Sequence, residues 1–167
     1  MAMKRAMNLS LRYGVIAIAF ISALIFSSVP ARGAAWNGIE PLKTRRDEVV
    51  KLLGAPIGES PDGVMRFNVN GGSVQVSFVN DKFVTAKKLR TELAGTVLEI
   101  VLQHDHSSDT PESLKLLSNH AFTRDDTKTS TIFRNMKEGL IYTFVEGMLR
   151  TTRYTFADDQ LAKARRY

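Results

Sequence analysis

His104 and His106 are the two residues whose types and spacing come nearest to a reactive site. They flank Asp105 at the end of an apolar run, Val97–Gln103. On a strand, side chains two apart share a face, so both imidazoles could reach one metal ion. Asp109 is close by in sequence and His120 lies further on. Two histidines do not complete a coordination shell, and the chain has neither an H-E-x-x-H helix nor any cysteine to add ligands. A polar loop after a strand is the weightier reading, and His104 and His106 stand as metal or small-ligand candidates only.

The carboxylate pairs Asp125-Asp126 and Asp158-Asp159 sit in polar contexts that suit turns better than acid/base couples. No Gly-x-Ser-x-Gly elbow or phosphate loop is present. The reading is therefore of a non-enzyme with no cofactor. Trp36, Tyr142 and Tyr154 are candidate binding residues, because Trp and Tyr anchor many interfaces. Packing in a core or on a sheet is their ordinary alternative.

These residues need a scaffold. Trp36–Leu42 reads as an extended lead-in. A helix over Arg45–Leu53 follows, with Thr44 as its N-cap, Asp47 and Glu48 in the first turn, and an apolar face of Val49, Leu52 and Leu53. Gly54 and Pro56 stop it. Met65, Phe67 and Val69 alternate with polar residues, as do Val74, Val76 and Phe78. A two-residue turn at Gly71-Gly72 predicts a hairpin pairing Val69 with Val74, Phe67 with Val76 and Met65 with Phe78. Residues 80–95 have no clean period and suit either a strand extension and loop or a helical turn.

Val97–Gln103 is read as a strand with Leu98, Ile100 and Leu102 on one face. Thr110 is placed to cap a short helix from Pro111 carrying Leu114, Leu116 and Leu117. Three more strands are expected at Ile132–Asn135, Leu140–Val145 and Met148–Phe156, with turns at Lys137–Gly139 and Glu146-Gly147. The second turn pairs Phe144 with Leu149 but Leu140 with Arg153. From Ala157 the tail is polar and basic, a place for fraying or one helical turn. The expected fold class is α+β: an antiparallel sheet of about six strands with one or two helices on one face. Read generously, it is a helix-plus-three-strand unit used twice.

The first thirty-odd residues read as an export signal. Lys4, Arg5 and Arg12 form a basic start, Gly14–Phe26 an uncharged apolar run, and Ala31, Gly33, Ala34 and Ala35 a small-residue cleavage region after Pro30. Cuts after Ala31, Gly33 or Ala35 all satisfy the small-residue rule. The reading favours Ala35, giving a signal at 1–35 and a single domain at 36–167. An uncleaved anchor is the alternative, since Tyr13 and Ser27–Val29 extend the run toward the roughly 20 residues a membrane span needs.

Removing residues 1–35 takes the net charge from +6 to +2, so the basic pI belongs largely to the signal. Arg45-Arg46, Lys87-Lys88 and the tail Lys163, Arg165 and Arg166 read as solvated groups rather than a nucleic-acid footprint. With no cysteine there is no lipid anchor and no disulfide, so the fold must rest on packing and hydrogen bonds. A periplasmic or secreted location is expected.

The segment Thr44-x-x-Asp47-x-Val49-x-x-Leu52-Leu53-Gly54-x-Pro56 resembles the helix signature of the outer-membrane-assembly lipoproteins of the BamE (SmpA/OmlA) family. The longer opening, W-x-G-I-x-P-L-x-T-x-R-x-x-V from Trp36, is more similar to a group of exported bacterial proteins, uncharacterised in function, that share that helix. Gly139-x-x-Tyr142 and Arg153-Tyr154-Thr155-Phe156 fit the same group loosely. The resemblance implies helices packed on an antiparallel sheet, a fold also found in a β-lactamase inhibitory protein. It further implies an envelope binding module, with a role in inserting β-barrel proteins in the lipoprotein family. The chain departs from the lipoprotein pattern by lacking the lipidated cysteine, by having Leu42-Lys43 where Gly-Met is usual, and by showing one clear early helix instead of two.

Overall fold

The computed structural model describes residues 33–165; residues 1–32, which hold all but the last three residues of the export-signal reading, and Arg166 and Tyr167 lie outside them. Its elements, in chain order, begin with α1 (Arg46–Leu53), β1 (Gly58–Glu59), β2 (Met65–Val69), β3 (Gly72–Phe78) and α2 (Asp81–Lys87). A 3₁₀ turn at Thr91–Leu93 then leads to β4 (Val97–His104), β5 (Thr123–Asp126), β6 (Ser130–Asn135), β7 (Leu140–Val145), β8 (Met148–Thr155) and α3 (Asp158–Ala164). The class is α+β, with three helices and one open antiparallel sheet in the order β1-β2-β3-β4-β8-β7-β6-β5. All six expected strands form, and two short edge strands bring the sheet to eight. Among the described residues, no helix is long and apolar enough to cross a membrane.

That order is two four-strand meanders meeting at β4 and β8. The registers align side chains into rows across the sheet. One row runs Phe67, Val74, Leu102, Thr152, Tyr142 and Phe133; the next runs Met65, Val76, Ile100, Tyr154, Leu140 and Asn135. Both belong to the covered face. The alternating rows, such as Arg66, Gln75, Val101, Arg153, Ile141 and Arg134, form the opposite face, where none of these six is buried.

Three apolar clusters hold the fold. α1 and the lead-in cover the first meander, putting Ile39 and Val49 against Met65, Phe67, Val74, Val76, Val97 and Ile100. α2, the 3₁₀ turn and α3 close one end around Val79, Val84, Leu89, Leu93 and Ala164. The segment after β4 lays Leu114, Leu116 and Phe122 over Phe133, Phe144 and Leu149 of the second meander. Phe133 and Phe144 meet edge to face at 5.8 Å.

Several local expectations are corrected by tertiary contacts. Thr44 is not the cap of α1. Its hydroxyl accepts the Glu40 amide at 2.9 Å, and its carbonyl accepts Val97 N at 2.8 Å. The chain is thus held extended through Arg45, which bridges Thr96, and the helix starts one residue later. Glu48, not Asp47, reaches back to the cap residue's amide, at 2.6 Å. The first hairpin turns at Asn70-Gly71 and pairs Val69 with Gly72, Phe67 with Val74 and Met65 with Val76. The shift from the expected register is two residues, so every apolar side chain keeps its face. Gly72 joins the strand because β4 passes close: a Cβ there would lie 1.9 Å from the Gln103 carbonyl oxygen.

Bulges account for two more differences. A register shift between Ser77 and Phe78 places Val97 opposite Phe78. Leu98 thereby leaves the Ile100/Leu102 face and packs with the end cluster. A second shift, between Thr143 and Phe144, keeps Phe144 opposite Leu149 but sets Leu140 opposite Tyr154 instead of Arg153. The apolar mismatch of the sequence reading is removed by that extra residue.

The ambiguous stretch after β3 resolves as α2, whose N-cap Asn80 accepts the Phe83 amide at 2.8 Å. Thr110 does cap a turn, since its hydroxyl accepts Ser113 N at 3.2 Å. Lys115, at φ 55°, ends that turn before a helix develops, so the expected second helix is absent and the helix-plus-three-strand unit is not repeated. The tail forms α3 because Leu161 and Ala164 have an apolar cluster to enter.

Two measurements check this account. Gly139 has φ +69°, and a Cβ there would lie 2.1 Å from the Thr155 carbonyl oxygen. Gly139→Ala should therefore cost about 2 kcal/mol or more by urea denaturation. Asn80→Ala should cost about 1 kcal/mol by removing the α2 cap.

Candidate functional site

The groove that brings two of the candidate residues, Trp36 and His104, together lies at one end of the covered face. It is about 500 Å³ and is lined by Trp36, Leu53, Val69, Leu102 and His104, with the backbone of the Asn70–Gly72 turn along one side. The lining residues are brought together from several elements. Trp36 is fixed by a two-way backbone bridge to Ile39, at 3.1 and 2.8 Å, around the tight turn Asn37-Gly38. Ile39 is fully buried, so the turn cannot lift without exposing it. Leu53 comes from the last turn of α1, Val69 from β2, and Leu102 and His104 from β4.

His104 pairs with Gly72 across β3 and β4, and its Nε2 lies 2.9 Å from the Thr152 hydroxyl. Thr152 is buried and is the residue opposite Tyr142. Burial pushes the His104 imidazole below its usual value of 6.5, partly opposed by the negative charge of Asp109. The ring is therefore neutral at neutral pH and serves as a hydrogen-bonding wall rather than a cation.

Of the metal candidates, only His104 enters the groove. β4 ends at His104, so the alternation that would align His106 with it does not extend that far. His106 sits exposed in the following bend, and His120 is exposed in a later turn. Among the described residues, no three His, Cys, Asp or Glu side chains are disposed to hold a metal ion.

Tyr142 and Tyr154 lie on the same face as the groove, on adjacent strands, and both are half-buried. Tyr154 packs on the first cluster, as Trp36 does, and Tyr142 on the third, 5.8 Å from the Phe122 ring. Burial raises both phenols above 10, helped by Glu138 and Asp109 at Tyr142 and by Tyr142 at Tyr154. Both remain neutral hydrogen-bond donors in the physiological range.

The acidic pairs are split by structure rather than gathered in turns. Asp125 and Asp126 belong to β5, where Asp125 meets Arg134 and Asp126 meets Arg124 and Thr131. Asp158 and Asp159 begin α3, and Asp159 pairs with Lys163 at 2.8 Å. The sheet edges are poor templates for strand addition: β1 is two residues long and β5 is the exposed Thr-Arg-Asp-Asp. Sequence reading missed the groove's far wall, Leu53, Val69 and Leu102. Their apolar periodicity marks them as core, and nothing in it tells that they are left half-exposed around Trp36.

No family model, curated protein or solved structure matches the chain.

The depressed His104 value has a consequence for stability. The unfolded chain takes up the proton at 6.5, above the folded value. The stability linked to His104 is thus full above pH 6.5 and is lost as the pH falls through the folded value. His104→Gln should narrow the difference between denaturation midpoints measured at pH ~7.5 and ~5. An unchanged difference would show that the ring is not desolvated in solution.

Proposed function

We propose that this chain is an exported, non-enzymatic binding module of the bacterial cell envelope, acting as an accessory to outer-membrane protein assembly. The observation that carries the binding reading is the Trp36 groove. An indole, two leucines and a valine are held half-exposed beside the backbone of a hairpin turn, on a rigid sheet. Such a surface offers apolar contact area with a few polar groups for orientation, and rigid support lowers the ordering cost of binding. A neutral imidazole at the rim suits an uncharged hydrogen-bonding partner better than an anion. The export signal and the resemblance of the Thr44–Pro56 segment to BamE-type lipoproteins support the envelope assignment. With no cysteine in the sequence to carry a lipid, the proposed module is one recruited by its protein partner.

Photo-crosslinking inside cells tests this. A crosslinking residue in place of exposed Asn70, at the groove wall, should capture components of the β-barrel assembly machinery; one in place of Lys87 on α2 should not. Trp36→Ala should reduce the Asn70 adducts at least several-fold. Equal labelling from the two positions would overturn the groove as the docking site. Adducts with no assembly component would overturn the accessory role.

A further inference from the structure

We infer that the export signal is cut between Ala31 and Arg32, so that the mature chain keeps Gly33–Ala35 as a structural strap. The inference rests on the exported reading proposed above. The small-residue rule alone leaves three bonds, after Ala31, Gly33 and Ala35. The peptidase acts on a chain that has not folded, so it reads only local residues. What the fold supplies is the identity of the residues the finished protein uses.

Gly33 is buried, and a Cβ on it would lie 2.3 Å from Oε1 of Gln160. That oxygen is not free to move aside, because it accepts the Ala157 amide at 2.8 Å at the start of α3. Ala34 donates its amide to the Glu138 carbonyl at 2.6 Å, in the turn between β6 and β7. Trp36 then begins the bridge to Ile39. The segment therefore ties α3 and the second meander to the groove of the first. It needs no side chain beyond glycine and alanine, the composition that the sequence reading took for a cleavage region alone.

The three cuts leave different products. After Ala35, both ties are lost, and the Trp36 amide that donates to Ile39 becomes a charged ammonium at the groove. After Gly33, the buried residue is lost and an ammonium replaces the half-buried Ala34 amide. After Ala31, the Gly33, Ala34 and Trp36 contacts all survive and the new charge falls on Arg32. Val29 and Ala31 place a tolerated and a small side chain at the two positions the peptidase reads, and Ala31 is five residues past Phe26, the nearest of the three to the apolar run.

The test expresses the full chain with a C-terminal tag in a Gram-negative host and purifies it from the periplasm. N-terminal sequencing and intact mass should give a chain starting at Arg32. A start at Ala34 or Trp36 overturns the assignment. A chain that stays in the cytoplasm at full length overturns the exported reading itself, a distinct outcome. Two variants separate the bonds further. Ala31→Asp should accumulate precursor, whereas Ala35→Asp, at an exposed position, should mature as the parent does. The reverse pattern would place the cut after Ala35.

Discussion

The antiparallel ladder between β4 and β8 joins the two meanders through five residue pairs, from Glu99–Thr155 to Gln103–Thr151. Its register sets which side chains of the second half share a face with the first. Ile100 meets Tyr154 and Leu102 meets Thr152, so the rows of the covered face continue across the junction. A slip by one residue would turn Tyr142, Tyr154 and Phe133 away from the side that α1 and the post-β4 segment cover. The groove, the tyrosines and all strands of the second meander thus depend on this one alignment.

Two bulges and a few close backbone approaches make that alignment compatible with the rest. The irregularity opposite Ser77 and Phe78 releases Leu98 to the end cluster, and the one opposite Thr143 and Phe144 brings Tyr154 beside Leu140. Gly72 and Gly139 let neighbouring strands approach closer than any side chain permits. With no cysteine in the chain, these packing and hydrogen-bond constraints hold the fold without disulfides. The opposite face of the sheet carries ion pairs such as Arg153–Glu99 and Arg134–Asp125 in place of a packed layer.

The groove is built where the covering layer stops short. α1 ends at Leu53, the lead-in turns back at Asn37-Gly38, and the hairpin turns at Asn70-Gly71. Three chain reversals at one end of the sheet leave apolar residues half-exposed around a single tryptophan. A histidine there, bonded to a buried threonine, adds a polar group whose charge is suppressed by burial. In this arrangement groove and core are continuous, because Trp36 and Leu53 pack on the same cluster that holds the sheet to α1.

The sequence by itself determined the α+β class, α1, and the six long strands, because period-2 alternation and capping chemistry are local signals. It also marked Trp36, His104, Tyr142 and Tyr154 as residues that chemistry could use. The strand order, the edge strands β1 and β5, the hairpin register and the start of α1 were decided by tertiary structure. Each depends on a contact between elements: Gln103 against Gly72, Val97 against Thr44, the extra residue of β8 opposite Thr143 and Phe144. Periodicity names the face a side chain prefers but not the strand it meets, and a two-residue slip leaves the pattern unchanged. Whether His106 joins His104 was settled in the same way, by where β4 ends. The strap at Gly33–Ala35 was legible only in three dimensions, since small residues carry no hydrophobic signal and their packing against Gln160 and Glu138 exists only after the chain has closed.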